Sequence, residues 1–198
     1  DQALALVESL DAEDYRTGVP AAQLAAPGAH LRHVLDMVDC LLAGLPGGVV
    51  DYESRARDTR VESDPAAGRV ALLRAREALE ALSAATPPER LRIHGDTPLG
   101  MEGERVLAES TLERELQFLL NHGLHHFALI AVGLRLRGRA VPTDFGLAPS
   151  TVRWLATQPQ ERNESRGQDH QFGFRADAVR AGLAQPNDPV SGHQQRLR

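Results

Sequence analysis

Three histidines lie close together in the segment Asn121-His122-Gly123-Leu124-His125-His126. His122 and His126 are four positions apart, so on a helix both imidazole rings leave the same face about one turn apart. Two rings placed in this way can bind one divalent metal ion if a third ligand comes from another element. The spacing therefore indicates a metal site with His122 and His126 as candidate ligands, whereas pairing His122 with His125 would turn the pair toward a different helix face.

A second pair of histidines, His30 and His33, lies far earlier in the chain, in another apolar stretch. Helical bundles commonly build metal sites from side chains on facing helices, so this pair could supply the third ligand. Three neutral imidazoles leave one coordination position open, and a metal held in this way can acidify a bound water or thiol. The alternative is a histidine network in the core without a metal, because such pairs also occur by chance in ordinary helices.

Several polar residues are candidates for supporting roles. Asp36, Asn121 and Glu115 carry oxygen atoms of the kind that fix the tautomers of metal-bound histidines, although a solvated charged face explains the two acids equally well. Ser110 is interpreted as a helix cap rather than a nucleophile, because it has the spacing of a capping box with Glu113. The sequence contains no serine-hydrolase elbow and no glycine-rich phosphate loop.

The charge of the chain limits its partners. The net charge is −5 and the isoelectric point is about 5.9, which argues against a nucleic-acid partner bound through a basic face. All 22 basic residues are arginine, so Schiff-base chemistry through lysine is excluded. The group Arg55, Arg57 and Arg60 could bind an anionic substrate at the mouth of a site, but a solvated loop is the favoured interpretation.

Cysteine usage and hydropathy exclude further classes. The single cysteine, Cys40, excludes an intramolecular disulfide and any CxxC site, and its apolar surroundings predict a buried inert thiol. No stretch approaches the roughly 18 apolar residues of a membrane span, and no signal-peptide pattern opens the chain. We therefore expect a cytoplasmic protein without a membrane partner.

Helices must position the histidines, because apolar residues recur at helical spacing over most of the chain. The pattern predicts one helical domain over residues 1–158 and a disordered or weakly structured tail over 159–198. A short β-hairpin is predicted from Arg90–Ile93 and Glu104–Ala108. Helices are predicted over residues 2–10, from Pro27-Gly28 to Gly44, from Asp64-Pro65 to about Ala85, from about Thr111 to Arg137, and for a turn or two over 150–155.

Both histidine motifs resemble those of the DinB-like superfamily of metal-binding helical bundles. The first is Gly28-Ala29-His30-Leu31-Arg32-His33-Val34-Leu35, and the second, from Asn121 to His126, is close to the superfamily run N-H-x-x-H-H. The resemblance covers about residues 1–156 and includes the helix order. It implies an all-α fold, an up-down-down-up four-helix bundle, and often a homodimer.

The resemblance also implies a site and a chemistry. His33, His122 and His126 match the three metal ligands, which leaves His30 as a neighbour or competing ligand and His125 as a packing or hydrogen-bonding residue. The implied cofactors are a divalent metal (Zn, Ni, Fe or Mn) and a low-molecular-weight thiol. The implied function is a metal-dependent transferase or hydrolase that activates the thiol or water against a small-molecule substrate. The alternative is a non-catalytic metal-binding or dimerising protein with a structural metal or a histidine network.

Overall fold

The computed structural model describes residues 1–82, 88–95 and 106–158, which are mostly helical. The chain divides into a unit over Asp1–Val152 and a second unit that begins at Arg153. The predicted tail over 159–198 lies outside the described residues. In the described part, no helix is long and apolar enough to cross a membrane. The helices are α1 (Gln2–Ser9), α2 (Ala12–Arg16), α3 (Pro27–Gly44), α4 (Thr59–Ser63), α5 (Pro65–Ala81), α6 (Leu112–Leu136) and α7 (Pro149–Ala156).

Four of these helices, α1, α3, α5 and α6, form the predicted bundle. Ion pairs show that α1 runs antiparallel to α5, since Asp1 contacts Arg76 at 3.4 Å and Glu8 contacts Arg69 at 2.9 Å. The Tyr15 ring packs against the starts of both α3 and α5, so those two helices run parallel.

The remaining pair, α3 and α6, runs antiparallel. Leu31 near the start of α3 packs in the same buried cluster as Ile130 near the end of α6. Leu41 near the end of α3 shares a cluster with Leu112 at the start of α6. The directions together give the up-down-down-up order, and the fold class expected from the sequence is confirmed.

Local sequence explains where the two histidine helices begin. Pro27 occupies the first turn of α3, where its missing N–H costs no hydrogen bond. Thr111 caps α6 by accepting a hydrogen bond from the Arg114 N–H at 3.3 Å. Ser110, which the sequence favours as the cap, ends a β-strand and donates its hydroxyl to Glu115 instead. The predicted cap is therefore wrong by one residue.

A three-stranded sheet closes one end of the bundle, in the order β1 (Val49–Asp51), β2 (Leu91–Gly95) and β3 (Val106–Ser110). The antiparallel pairing of β2 with β3 confirms the predicted hairpin, although both strands end two residues later than predicted. Glu104 and the connection between the strands lie outside the described residues. Strand β1 adds a parallel pairing with β2 that the sequence does not predict. This sheet connects the segment after α3 to the start of α6.

The buried apolar residues form two clusters that meet along α3 and α6. One, the sheet-end cluster, includes Leu35 and Leu119, and the other, the N-terminal cluster, includes Leu31 and Ile130. On both helices the residues between these clusters include histidines. The fold therefore places a polar layer between two apolar ones.

Candidate metal centre

The antiparallel packing of α3 and α6 brings together the three histidines that the sequence predicts as ligands. The Nε2 atom of His33 lies 2.9 Å from that of His122, and the Nε2 atom of His126 lies 3.2 Å from that of His122. One ring nitrogen from each of the three histidines lies within 4.8 Å of the others, in the arrangement of a metal-binding group. The cluster is compatible with metal binding.

Hydrogen bonding alone does not satisfy this cluster. The Nε2 atom of His122 is the near neighbour of two other Nε2 atoms, yet an imidazole nitrogen has either one lone pair or one hydrogen. It can therefore make a good hydrogen bond with only one of the two. A metal ion accepts a lone pair from each ring, and ligand nitrogens around tetrahedral zinc lie about 3.3 Å apart. The observed spacing is close to that value.

His30 contacts the outer nitrogen of one ring of the cluster, that of His126. Its side chain is buried, and its Nδ1 atom lies 2.9 Å from Nδ1 of His126, on the side of that ring away from Nε2. If His126 offers the Nε2 lone pair to a metal, its Nδ1–H donates to His30, which fixes the tautomer as acceptors behind metal ligands do. His30 is thus a neighbour of the cluster rather than a member of it.

The carboxylates expected behind the histidines form hydrogen bonds elsewhere. Asp36 accepts from Arg32 at 2.6 Å and from the backbone N–H of Arg57 at 3.2 Å. Glu115 accepts from Tyr52 at 2.7 Å and links α6 to the segment after β1. These contacts hold elements together, so the acids anchor the scaffold around the rings.

Arg55 contacts the cluster from the loop between β1 and α4. Its Nη1 donates to Nδ1 of His33 at 3.2 Å, and its side chain is only 20% exposed. Arg60 is solvated as predicted, since its side chain is 84% exposed and pairs with Asp58, but it lies in α4 rather than in a loop. The prediction does not hold for Arg55. Sequence spacing offers no signal for this contact, because a loop residue has no periodicity to place it.

Comparison with known proteins decides the family, since the DinB superfamily matches the chain over residues 1–130. The chain belongs to the DinB superfamily. The match includes all three clustered histidines. Among curated proteins, FK506-binding protein 5 of Rhizopus delemar (strain RA 99-880) is similar, with 30% identity over 118 residues, which are 56% of this chain and 28% of that protein. This chain thus spans about a quarter of the length of that relative. No solved structure gave a significant match.

The four inner histidines of this DinB protein are poor bases. Burial, aided by the His122 ring and the Arg55 guanidinium, lowers the pKa of His33 to about 4. Burial and the surrounding rings lower the pKa of His126 to about 3. Burial also lowers the pKa of His30 and of His122. At neutral pH the rings are therefore uncharged, which is the form that binds a metal.

One member of the DinB cluster, His122, borders a depression on the surface of α6. The depression has a volume of about 500 Å³, and the Phe118 ring forms part of its wall by stacking on His122 at a centroid distance of 5.6 Å. His125 is exposed, and its ring lies edge-on to the ring of His126 at a centroid distance of 5.3 Å. The lining residues of the depression are Arg114, Gln117, Phe118, Asn121 and His122.

Proposed function

We propose that this DinB protein binds one divalent metal ion through Nε2 of His33, His122 and His126, and uses it in a transferase or hydrolase reaction on a small molecule. The observation that carries the proposal is the meeting of three Nε2 atoms around His122, at distances of 2.9 and 3.2 Å. A hydrogen-bonded network leaves one of these contacts unsatisfied, whereas a metal satisfies both. Neutral rings, and a hydrogen-bond partner for Nδ1 of His126 at His30, favour the same conclusion.

The three imidazole donors limit which metal ions the site is suited to bind. Imidazole nitrogen suits zinc, nickel and iron, whereas manganese prefers carboxylate and carbonyl oxygen. The described residues hold no carboxylate in the cluster. Among the four metals implied by the resemblance, zinc, nickel and iron are therefore better supported than manganese.

A catalytic site is better supported than a structural one. Structural zinc sites have four protein ligands, whereas catalytic sites have three and leave one position for water or substrate. In the described residues the group contains three histidines, and a depression opens beside His122. A metal bound there would lower the pKa of a bound thiol or water toward neutral pH. The chain itself keeps the rings neutral, orients them and shields one side of the site.

Metal analysis tests the binding. We expect about one zinc, nickel or iron per chain in purified protein, and a cobalt-substituted form with the strong visible bands of a tetrahedral site. His122→Ala removes the shared ring and should lose the metal, whereas His125→Ala changes an exposed ring one turn away and should keep it. A metal content well below one per chain in wild-type protein, with no cobalt bands, would contradict the proposal.

A screen of activity separates catalysis from a structural role. Metal-loaded wild-type protein and His122→Ala are given a panel of low-molecular-weight thiols with an electrophilic substrate, and a panel of hydrolysable esters and amides. Turnover that needs both the metal and His122 supports the enzyme. Metal that raises thermal stability without any turnover would favour the alternative, a non-catalytic protein whose metal holds α3 and α6 together.

A further inference from the structure

The depression beside His122 is lined by one face of a single helix. Its lining residues all belong to α6 and are Arg114, Gln117, Phe118, Asn121 and His122. Positions 114, 118 and 122 follow one another at intervals of four, so these three side chains form a row along the helix. The volume of about 500 Å³ lies within the range of small-molecule sites. Among the described lining residues, Arg114 is the charged one, so the depression is positive at the end away from His122.

The guanidinium of Arg114 is available to a ligand. The residue is exposed, and within the part of the chain that the structure describes its side chain has no hydrogen bond or ion pair. The two neighbouring acids are engaged elsewhere. Glu115 is buried and accepts from the Tyr52 hydroxyl at 2.7 Å, while hydrogen bonds from its own backbone N–H and from the Thr111 hydroxyl lower the pKa of Glu113. The charge of Arg114 is therefore not neutralised by an ion pair with either acid.

The other lining side chains suit an elongated molecule. Gln117 and Asn121 are exposed carboxamides, which both donate and accept hydrogen bonds. Phe118 is half-buried and gives the depression an apolar surface between Arg114 and His122. Arg114 and His122 are eight positions apart, which is a rise of about 12 Å along a helix. A molecule that contacts both ends therefore needs about that length.

We propose that the depression on α6 binds a small molecule with a carboxylate at one end, held by Arg114, and its reacting group at the other end, beside His122. One guanidinium, without a second cation among the described lining residues, matches one carboxylate, which it can bind through two parallel hydrogen bonds. Gln117 and Asn121 bind polar groups between the two ends, and Phe118 packs against an apolar part. The molecule is then the substrate of the proposed metal-dependent reaction, and its reacting end rests on that proposal.

Binding of the carboxylate is tested by NMR on ¹⁵N-labelled full-length protein treated with zinc. 4-Phenylbutyrate should shift the side-chain amide signals of Gln117 and Asn121. It should bind about threefold to fivefold more tightly than 4-phenylbutyramide, which has the same shape without the charge, because the ion pair forms at an exposed arginine.

Two arginine variants of the same helix form a matched pair for this measurement. Arg114→Gln should bind the acid and the amide equally. It should also fold, because it removes a positive charge from the first turn of α6, where the helix dipole disfavours one. Arg135→Gln, which removes an exposed arginine near the other end of α6, should keep the preference for the acid.

The length of the site is tested with mercaptocarboxylates on cobalt-loaded protein, where the charge-transfer band of a Co²⁺-bound thiolate measures the affinity. The carboxylate of 8-mercaptooctanoate can reach Arg114 while its thiol lies beside His122. This thiol should bind wild type about threefold to fivefold more tightly than Arg114→Gln. 3-Mercaptopropionate is too short to contact both ends and should bind the two proteins equally.

The outcomes for the carboxylate site and for the metal differ. Equal affinity of wild type for the acid and the amide, or a preference for the acid that persists in Arg114→Gln, would overturn the carboxylate site even if cobalt binds. An equal loss of affinity for the short and the long thiol in Arg114→Gln would overturn the extended binding mode. Absence of cobalt binding, together with an acid preference that depends on Arg114, would support the carboxylate site and overturn the metal-dependent function.

Discussion

At the scale of single residues, two side chains outside the cluster contact the outer nitrogens of its rings: His30 contacts His126, and Arg55 contacts His33. Nδ1 of His30 lies 2.9 Å from Nδ1 of His126, and where it accepts a hydrogen bond it fixes the His126 tautomer that binds a metal through Nε2. Arg55 offers a donor to Nδ1 of His33 and so favours the other tautomer. The tautomers of these two rings therefore depend on residues outside the cluster.

His30→Ala should lower metal affinity without changing the stoichiometry. Loss of an acceptor behind a ligand typically costs about 10- to 100-fold in affinity. His30→Asn, whose side-chain oxygen can still accept from His126, should recover part of the loss. Cobalt titration measures both variants against His125→Ala as the control. Complete loss of one-to-one binding in His30→Ala would mean instead that His30 is itself a ligand.

Acid should destabilise the metal-free protein over a window set by the buried rings. The pKa of His33 is about 4 and that of His126 about 3 in the folded chain, against 6.5 for a free ring. Below pH 6.5 the unfolded chain binds protons that the folded chain refuses, so stability falls with pH down through these lower values. Above pH 6.5 the rings are neutral in both the folded and the unfolded chain, so no stability is lost.

Urea denaturation at pH 7 and pH 5 measures this effect in protein stripped of metal. The midpoint of wild type should fall more between the two pH values than that of His126→Phe, which has no titrating ring at that position. Equal falls in both proteins would show that His126 takes up protons as readily when folded as when unfolded.

At the scale of elements, α3 and α6 were predictable to within a residue or so because local signals define them. Pro27 and Gly44 bound the apolar period of α3, and Thr111 lies directly before α6. Strand β1 and helix α4 were not predictable, because each has five residues or fewer and depends on partners elsewhere in the chain. The contact of Arg55 with His33 was not predictable for the same reason, because it depends on residues distant in the chain.

The three-histidine grouping was predictable for a related reason. Spacing on one helix places His122 beside His126, and the family resemblance selects His33 over His30. The role of each atom was not predictable, because the tautomers depend on His30 and Arg55, whose contacts arise from helix packing and from a loop. The ligand roles themselves stay predictions until metal is measured.

Gly123 lies between the histidines of α6, and its position has room for a larger side chain. A Cβ there would lie 3.7 Å from Val34, which is ordinary contact, so Gly123→Ala should raise the free energy of unfolding by about 0.5–1 kcal/mol through helix propensity. Gly28→Ala should destabilise, because its Cβ would strike the Glu62 carbonyl and the Tyr15 ring. Thermal melts compare the two; a destabilised Gly123→Ala would show tighter helix packing than described.

At the scale of the whole molecule, the polar layer lies between the sheet-end and N-terminal clusters and belongs to neither. Apolar burial stabilises the bundle on both sides of the histidines, so the unit should fold without metal. A ligand that binds only the folded state then adds to that stability by mass action. Metal should therefore act on the melting temperature rather than on the existence of the fold.

Zinc at one hundred times its Kd should stabilise wild-type protein by about 2.7 kcal/mol, which corresponds to a rise of about 5–10 °C in Tm for a domain of this size. Differential scanning calorimetry of metal-free protein, with and without zinc, measures the shift. His122→Ala should melt cooperatively but show almost no response to zinc. A shift of equal size in that variant would place the metal elsewhere.

The contacts of Asp14 have a consequence for the order in which the protein folds during synthesis. Asp14 pairs with Arg137 and Arg139, whose nearest atoms lie 3.0 and 2.8 Å away, so a segment made first is held by residues made much later. The contact of His33 with His122 likewise cannot form until His122, 89 positions further along the chain, has been synthesised. Contacts so distant in sequence form slowly. While α6 is still in the ribosome, α3 of the nascent chain therefore exposes His30 and His33 without their partners from α6. Free metal can bind these two histidines before the α6 histidines reach them.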